Sequence, residues 1–195
     1  MDCVTGDIQT RERTFHADSF TDQLLPHLDA AYNLARWLTG NPSDAEDIVQ
    51  EAYLSAFRHF GRFDGGNTRA WLLTIVRHTT YRWYRRHQAR QPDTEFDEGL
   101  HTPDRDDDPE SLLLQHADTQ MVERAISALP ARYREVLVLR ELQGLSYKEI
   151  AVVAGLPIGT VMSSLSRARD RFRHLITADL SRSPAGNAAA GVANE

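Results

Sequence analysis

Between Arg69 and Arg90 the chain interleaves aromatic and guanidinium side chains: Trp71, Arg77, Tyr81, Arg82, Trp83, Tyr84, Arg85 and Arg86. That mixture suits one kind of chemistry. Aromatic faces stack on unpaired bases, at about 1–3 kcal/mol per base, while guanidinium groups neutralise a phosphate backbone. Residues 67–92 hold 6 Arg and no acid, net +6. A solvated helix surface normally mixes signs to gain i,i+4 pairs, so Tyr81, Arg82, Arg85 and Arg86 read as a binding face. Trp71 heads an apolar stripe with Leu72, Ile75 and Val76 and reads as core. The loop Asp64–Thr68 before it is Gly-rich, and Asn67 there offers donors and acceptors to an extruded base.

A second cluster has the opposite sign. Asp44, Glu46, Asp47, Gln50 and Glu51 crowd the first turns of a helix. Compensation of the helix dipole accounts for this arrangement. So does a docking edge for a basic partner, since Asp47, Gln50 and Glu51 share one face at i, i+3, i+4. The residues alone leave both readings open.

A third cluster spans 145–173. Ser146 caps a short helix, with Glu149 at the capping-box position; Ala154-Gly155-Leu156-Pro157 turns the chain; a second helix follows. This is a helix-turn-helix, whose second helix presents its N-terminal residues to base edges in the major groove. Val161, Leu165 and Ala168 pack inward. Thr160, Ser163, Ser164 and Arg167 lie on the other side, within reach of bases, and the more distal Arg169, Arg171 and Arg173 suit phosphates.

Other chemistries find no support. None of the eight His lies in HExxH or another metal-spaced pair, no Gly-rich phosphate loop opens a helix, and no nucleophile elbow occurs. Cys3 is alone, so neither a disulfide framework nor a cysteine metal site follows. No catalytic residue, metal, cofactor or small-molecule substrate is expected. No run approaches the ~20 apolar residues of a membrane span, and the first residues carry Asp2, Asp7 and Glu12 with no apolar stretch like that of a secretory signal. A cytoplasmic protein without membrane insertion is the simplest expectation.

The elements that must position these clusters are helices. Apolar residues recur at helical spacing from Phe20 to Leu38, from Ile48 to Phe60 with Ser43 as expected N-cap, and from Trp71 to a helix end near Arg90. Further helices are expected from Ser111 to Leu129, from Arg132 to Leu142, and over 158–176, and no strand pattern competes. The fold class is all-α: two small helical domains joined by a flexible acidic linker, the second a helix-turn-helix. The expected boundaries are a mobile arm at 1–18, a first domain at 19–90, a linker at 91–111, a second domain at 112–177 and a disordered tail at 178–195. Pro92, Pro103 and Pro109 punctuate the linker, and residues 93–118 hold 10 acidic residues and 1 basic, net −9. So acidic and apolar-poor a segment cannot offset its ordering entropy by burial.

The whole-chain charge of −6 over 195 residues argues, as a bare sum, against nucleic acid. Screening over about 8 Å makes the local patch decisive instead, and the patches alternate in sign. The basic residues are 21 Arg to 1 Lys.

Taken in order, five motifs carry a family resemblance. They are Asp44-Ala45-Glu46-Asp47-Ile48-Val49-Gln50-Glu51; Ala70-Trp71-Leu72-Leu73-Thr74-Ile75; Leu129-Pro130; the run from Leu139 to Ala151; and Gly159-Thr160-Val161 with Ser166-Arg167-Ala168-Arg169. The chain resembles the extracytoplasmic-function (ECF) group of sigma factors in the sigma-70 family, over roughly residues 20–90 and 112–176. The resemblance implies a transcription initiation factor, often tied to a stress response, that binds core RNA polymerase through the beta-prime clamp and the beta flap. It implies clamp contacts for Asp44, Glu46, Asp47, Gln50 and Glu51. It implies recognition and melting of the minus-10 element by Asn67, Arg69, His78, Tyr81, Arg82, Arg85 and Arg86. It implies minus-35 contacts for Lys148, Thr160, Ser163, Ser164, Arg167, Arg169 and Arg171, and control by an anti-sigma factor. The linker would thread toward the active-site and RNA-exit path, where its acids could partly imitate nucleic acid. Three departures stand out: the family often has Asn at His78 and an acid or amide at Arg82; it often has basic residues at Met162 and Ser164; and the extra C-terminal domain of some members is not expected here, where a disordered tail is expected after 176. The competing reading is a helix-turn-helix regulator with an N-terminal helical sensor domain.

Overall fold

The structure, a computed structural model, describes residues 19–88 and 113–182. The expected arm at 1–18, the linker at 91–111, Cys3 and the last residues of the tail lie outside them.

Residues 19–24 are helical and pass through a 3-10 turn, Leu25–His27, into α1 (Leu28–Thr39). Gly40 ends α1 at φ 74°, a conformation cheap only for glycine, with its N–H on the Arg36 carbonyl. The next helix, α2 (Pro42–His59), is capped two residues earlier than the expected Ser43. Asn41 is the N-cap, its side chain accepting from the Ser43 and Asp44 amides, and Pro42 fills the first turn where no N–H is needed. A 3-10 turn, Phe60–Arg62, and the Gly-rich loop lead to α3 (Thr68–Gln88). The three helices pack on one another around Leu34, Ile48, Leu72, Leu73 and Val76, all fully buried.

In the second half, α4 (Leu113–Ser127) turns at Pro130 into α5 (Ala131–Leu137), which continues as a π-helical turn, Val138–Leu142. Then come α6 (Tyr147–Ala154) and α7 (Ile158–Arg182). The reciprocal Ser146–Glu149 capping box is present as expected. Gly155 closes α6 at φ 65°, and the chain bends by 100° into α7. Val161, Leu165 and Ala168 are buried against α5 and α6. The last helix runs to Arg182, past the boundary expected at 177; Arg124 on α4 holds the Asp179 carboxylate at 2.9 Å and secures those final turns.

The two halves are packed together. α3 lies along α6, α1 touches α5, and one continuous core contains residues of both. This contact positions everything that follows.

Candidate nucleic-acid interface

The acidic edge of α2 is largely on the surface. Glu46, Asp47 and Gln50 are exposed, and Asp44 and Glu51 are half-covered. Asp47, Gln50, Glu51 and the 58% exposed Leu54 follow one another along this edge and line a groove of about 460 Å³ with Arg82 on its far wall. Leu54, which the sequence reading does not single out, sits at i+7 from Asp47 and continues the acidic edge with an exposed apolar side chain.

A larger groove of about 670 Å³ runs between α2 and α3, lined by His59, Trp71, His78, Tyr81, Arg82 and Arg85 among others. Four of the seven residues expected at the minus-10 element thus share one depression. Trp71 is its apolar wall and packs against Phe63 with centroids 4.8 Å apart and the rings tilted by 34°, so it is both core and lining. Burial lowers the His78 pKa from its ordinary 6.5, and the neighbouring Arg77 and Arg82 add to the effect. The ring is therefore mostly neutral at pH 7 and offers hydrogen bonds rather than charge. Tyr84 belongs to the interior: its hydroxyl donates to the Leu38 carbonyl at 2.6 Å, and burial pushes its pKa up to about 12. Arg86 turns away from this groove and donates to Glu51 at 2.7 Å.

Two further expected minus-10 residues, Asn67 and Arg69, and the hydroxyl of the groove residue Tyr81 point at the second half of the chain. Asn67 caps α3, its Oδ1 accepting from the Ala70 amide at 3.0 Å, and its Nδ2 donates to Glu149. Arg69 donates to Gln143 Oε1 at 2.7 Å. Tyr81 donates to Glu135 Oε2 at 3.0 Å, and Arg77 forms an ion pair with the same carboxyl group. Burial raises the Glu135 pKa above the ordinary carboxylate value, against the opposing pull of Arg77 and Tyr81.

On α7, Thr160, Ser163, Arg167, Arg169 and Arg171 are exposed, Ser164 is half-covered, and Lys148 is exposed on α6. The arginines divide between two flanks, because residues two apart on a helix point about 200° apart. Arg169 donates to Glu141 from both Nε (3.0 Å) and Nη2 (2.6 Å). On the other flank Arg171 stands over the Tyr133 ring at 5.2 Å, and Arg167 lies close enough to its hydroxyl to lower its pKa. Between them, exposed Ser163 and Ser166 form the middle of the face. Met162, 54% exposed, and Ile158 flank the start of the helix. Among the described residues no group of His, Cys, Asp and Glu could hold a metal ion, and no single helix is long and apolar enough to cross a membrane.

Comparison with known proteins places both halves. Residues 24–90 match the family model "Sigma-70 region 2" and residues 119–172 match "Sigma-70, region 4". RNA polymerase sigma factor YlaC of Bacillus subtilis is 33% identical over 164 residues, covering 83% of this chain and 94% of its own length. The ECF RNA polymerase sigma-E factor of Escherichia coli is 36% identical over 135 residues, covering 65% and 71%. The ECF sigma factor SigE of Mycolicibacterium smegmatis is 30% identical over 155 residues; the match covers 80% of this chain but 60% of that protein. Among solved structures, the sigma factor RpoE in complex with the anti-sigma factor NepR from Bartonella quintana superposes with a TM-score of 0.69 at 31% identity, over 83% of this chain and 98% of that one. CnrH in complex with the cytosolic domain of CnrY gives 0.61 at 26% identity, over 84% and 90%.

Proposed function

The chain belongs to the extracytoplasmic-function group of the sigma-70 family, and from that premise we propose how its three polar surfaces divide the work of promoter recognition. The acidic edge of α2, with Asp47, Gln50 and Glu51 around Leu54, docks on the beta-prime clamp of core polymerase. An apolar residue ringed by charges is the usual layout of a protein interface, with a desolvated centre and a polar rim. The groove between α2 and α3 receives the melted minus-10 strand: Arg82 and Arg85 meet its phosphates, Trp71 faces its bases, the Tyr81 hydroxyl offers a donor to its backbone, and neutral His78 offers a hydrogen bond. The α6–α7 pair binds the minus-35 element as duplex. Thr160, Ser163 and Arg167 approach base edges, and Lys148, Arg169 and Arg171 approach the flanking phosphates.

The observation that carries this reading is the order of the surfaces in one chain: an acidic docking edge, a basic aromatic groove and a helix-turn-helix, on the two segments the family models match. The protein contributes binding and strand separation and is assigned no catalytic step. It acts in the cytoplasm with the polymerase. An anti-sigma factor is its regulator, a reading supported by the structural neighbour RpoE, which is bound to the anti-sigma factor NepR. The test is reconstitution with core polymerase and promoter DNA. Promoter-specific transcripts are expected with this chain as the sole sigma factor; transcripts that appear only when a housekeeping sigma factor is added would refute the assignment.

A further inference from the structure

Four side chains at the start and middle of α3 are engaged by the chain's own second half. Asn67 donates to Glu149, Arg69 to Gln143, and Arg77 and Tyr81 both donate to Glu135. Three of them are candidate minus-10 residues. The fourth, Arg77, lies over the Tyr81 ring at 4.7 Å, so a guanidinium and a phenol one helical turn apart aim their donors at one point. Glu135 fills that point with a side chain only 4% exposed, and Arg77 is 20% exposed. A carboxyl group and a phosphate present the same kind of oxygens to such a pair, and guanidinium forks bind both.

The closed arrangement cannot serve a promoter. Elements centred at minus 10 and minus 35 lie about 25 base pairs apart, on the order of 80 Å at about 3.4 Å per pair. Here α3 and α6 touch. The halves must separate before both elements are engaged, and separation uncovers Arg77 and Tyr81.

We propose that Glu135 is an internal competitor for nucleic acid: in the closed chain its carboxyl group occupies a site, made by Arg77 and Tyr81, that takes a backbone phosphate of the melted strand once the halves part. Arg77 thereby joins the minus-10 contacts. The proposal rests on the promoter reading above for the source of the phosphate. The site itself is a sequence-independent phosphate site. It is built from a buried polar cluster, which is costly to leave half-paired and therefore sensitive to the removal of one member.

The test uses the full chain and an oligothymidylate of about 12 nucleotides as probe, a length within the range one such groove holds. Fluorophores on Asn33→Cys and His174→Cys, in a Cys3→Ser background, report the distance between the halves. Glu135→Ala is expected to lengthen that distance and tighten oligothymidylate binding about tenfold. Arg77→Ala is expected to lengthen it as well but to bring no gain, and adding Glu135→Ala to Arg77→Ala is expected to change nothing further. Circular dichroism confirms the helices. If Glu135→Ala perturbs them, the reversed pair Arg77→Glu with Glu135→Arg replaces it, and is expected to close the chain without restoring binding. Glu135→Ala that leaves distance and affinity unchanged overturns the proposal, as does a gain in affinity that survives in the Arg77→Ala background. None of these measurements contains polymerase, so absence of transcripts from the reconstitution would remove the promoter reading while leaving this competition to be judged separately.

Discussion

Arg86 on α3 donates to the Glu51 carboxylate on α2 across 2.7 Å, tying the acidic edge of α2 to the basic end of α3. The side chains are 54% and 39% exposed, and so open a pair contributes at most about 1 kcal/mol. Glu51→Ala is therefore expected to shift the urea unfolding free energy by less than about 1 kcal/mol while releasing a cation. Single-stranded DNA should bind the variant more tightly and core polymerase more weakly. Unchanged affinity for both ligands would mean that Glu51 does no more than pair with Arg86.

Asp47 is exposed on the same edge, one turn before Glu51. Asp47→Arg should leave stability within about 0.5 kcal/mol, as ordinary surface changes do, yet abolish core polymerase binding measured by fluorescence anisotropy. Leu54→Ala should weaken the same interaction without altering the charge. A normal core affinity in both variants would remove the α2 edge from the interface.

Arg85 lines the α2–α3 groove, and Arg86 beside it in sequence turns to Glu51. Replacing both with Ala should slow promoter opening, read by permanganate reactivity of unpaired thymines, far more than it weakens core binding. Removing a guanidinium from a phosphate should also flatten the dependence of log K on log[salt], by about 0.7 per phosphate for a single strand. An equal loss of opening and core binding would contradict the division of surfaces.

Much of this layout was legible in the sequence because it depends on local signals. The capping box Ser146–Glu149, the glycine turn and the 3.6-residue spacing of Val161, Leu165 and Ala168 all act within a few residues. The start of α2 was also local but was misjudged: Asn41-Pro42 is a cap followed by a first-turn proline, and it outranks Ser43 because the Asn41 side chain accepts two amides. What stayed hidden depends on distant partners. Arg134 and Glu135 are residue types that usually sit on the surface, yet both are buried: Arg134 donates to the Ser127 and Leu129 carbonyls, and Glu135 meets residues 58 and 54 positions earlier in the chain. The final turns of α7 likewise hold through Asp179 and Arg124, 55 residues apart.

Gly155 gives a cleaner stability test. Its φ is +65°, and a Cβ there would meet nothing within 4 Å, so only the backbone conformation is at stake. Gly155→Ala should cost about 1–2 kcal/mol and, by disturbing the 100° bend between α6 and α7, should weaken minus-35 duplex binding beyond that. A fully stable variant would show that the turn relaxes to another geometry.

The junction between the halves should respond to pH. Burial raises the Glu135 pKa above the ordinary 4.5 in the closed chain, opposed by Arg77 and Tyr81, and separation of the halves would remove that burial. The closed form thus holds the proton more tightly. Its advantage is complete below pH 4.5 and is lost as pH rises through the raised value. The distance between labels on the two halves should therefore grow with pH in that window, and Glu135→Gln, which keeps the shape without the charge, should stay closed and flat. A wild-type distance independent of pH would show that Glu135 titrates alike in both forms.

Arg134 and Glu135 are neighbours on α5 with opposite allegiances. Arg134 donates to the Leu129 carbonyl at 3.0 Å and fastens its own half, while Glu135 serves the other half. Hybrid factors made by splicing the front of one family member to the back of another would respect the first bond and sever the second. A graft that keeps Glu135 but brings a neutral residue in place of Arg77 inherits a buried acid without its cation, so the halves of this protein are interchangeable parts only when positions 77, 81 and 135 travel together.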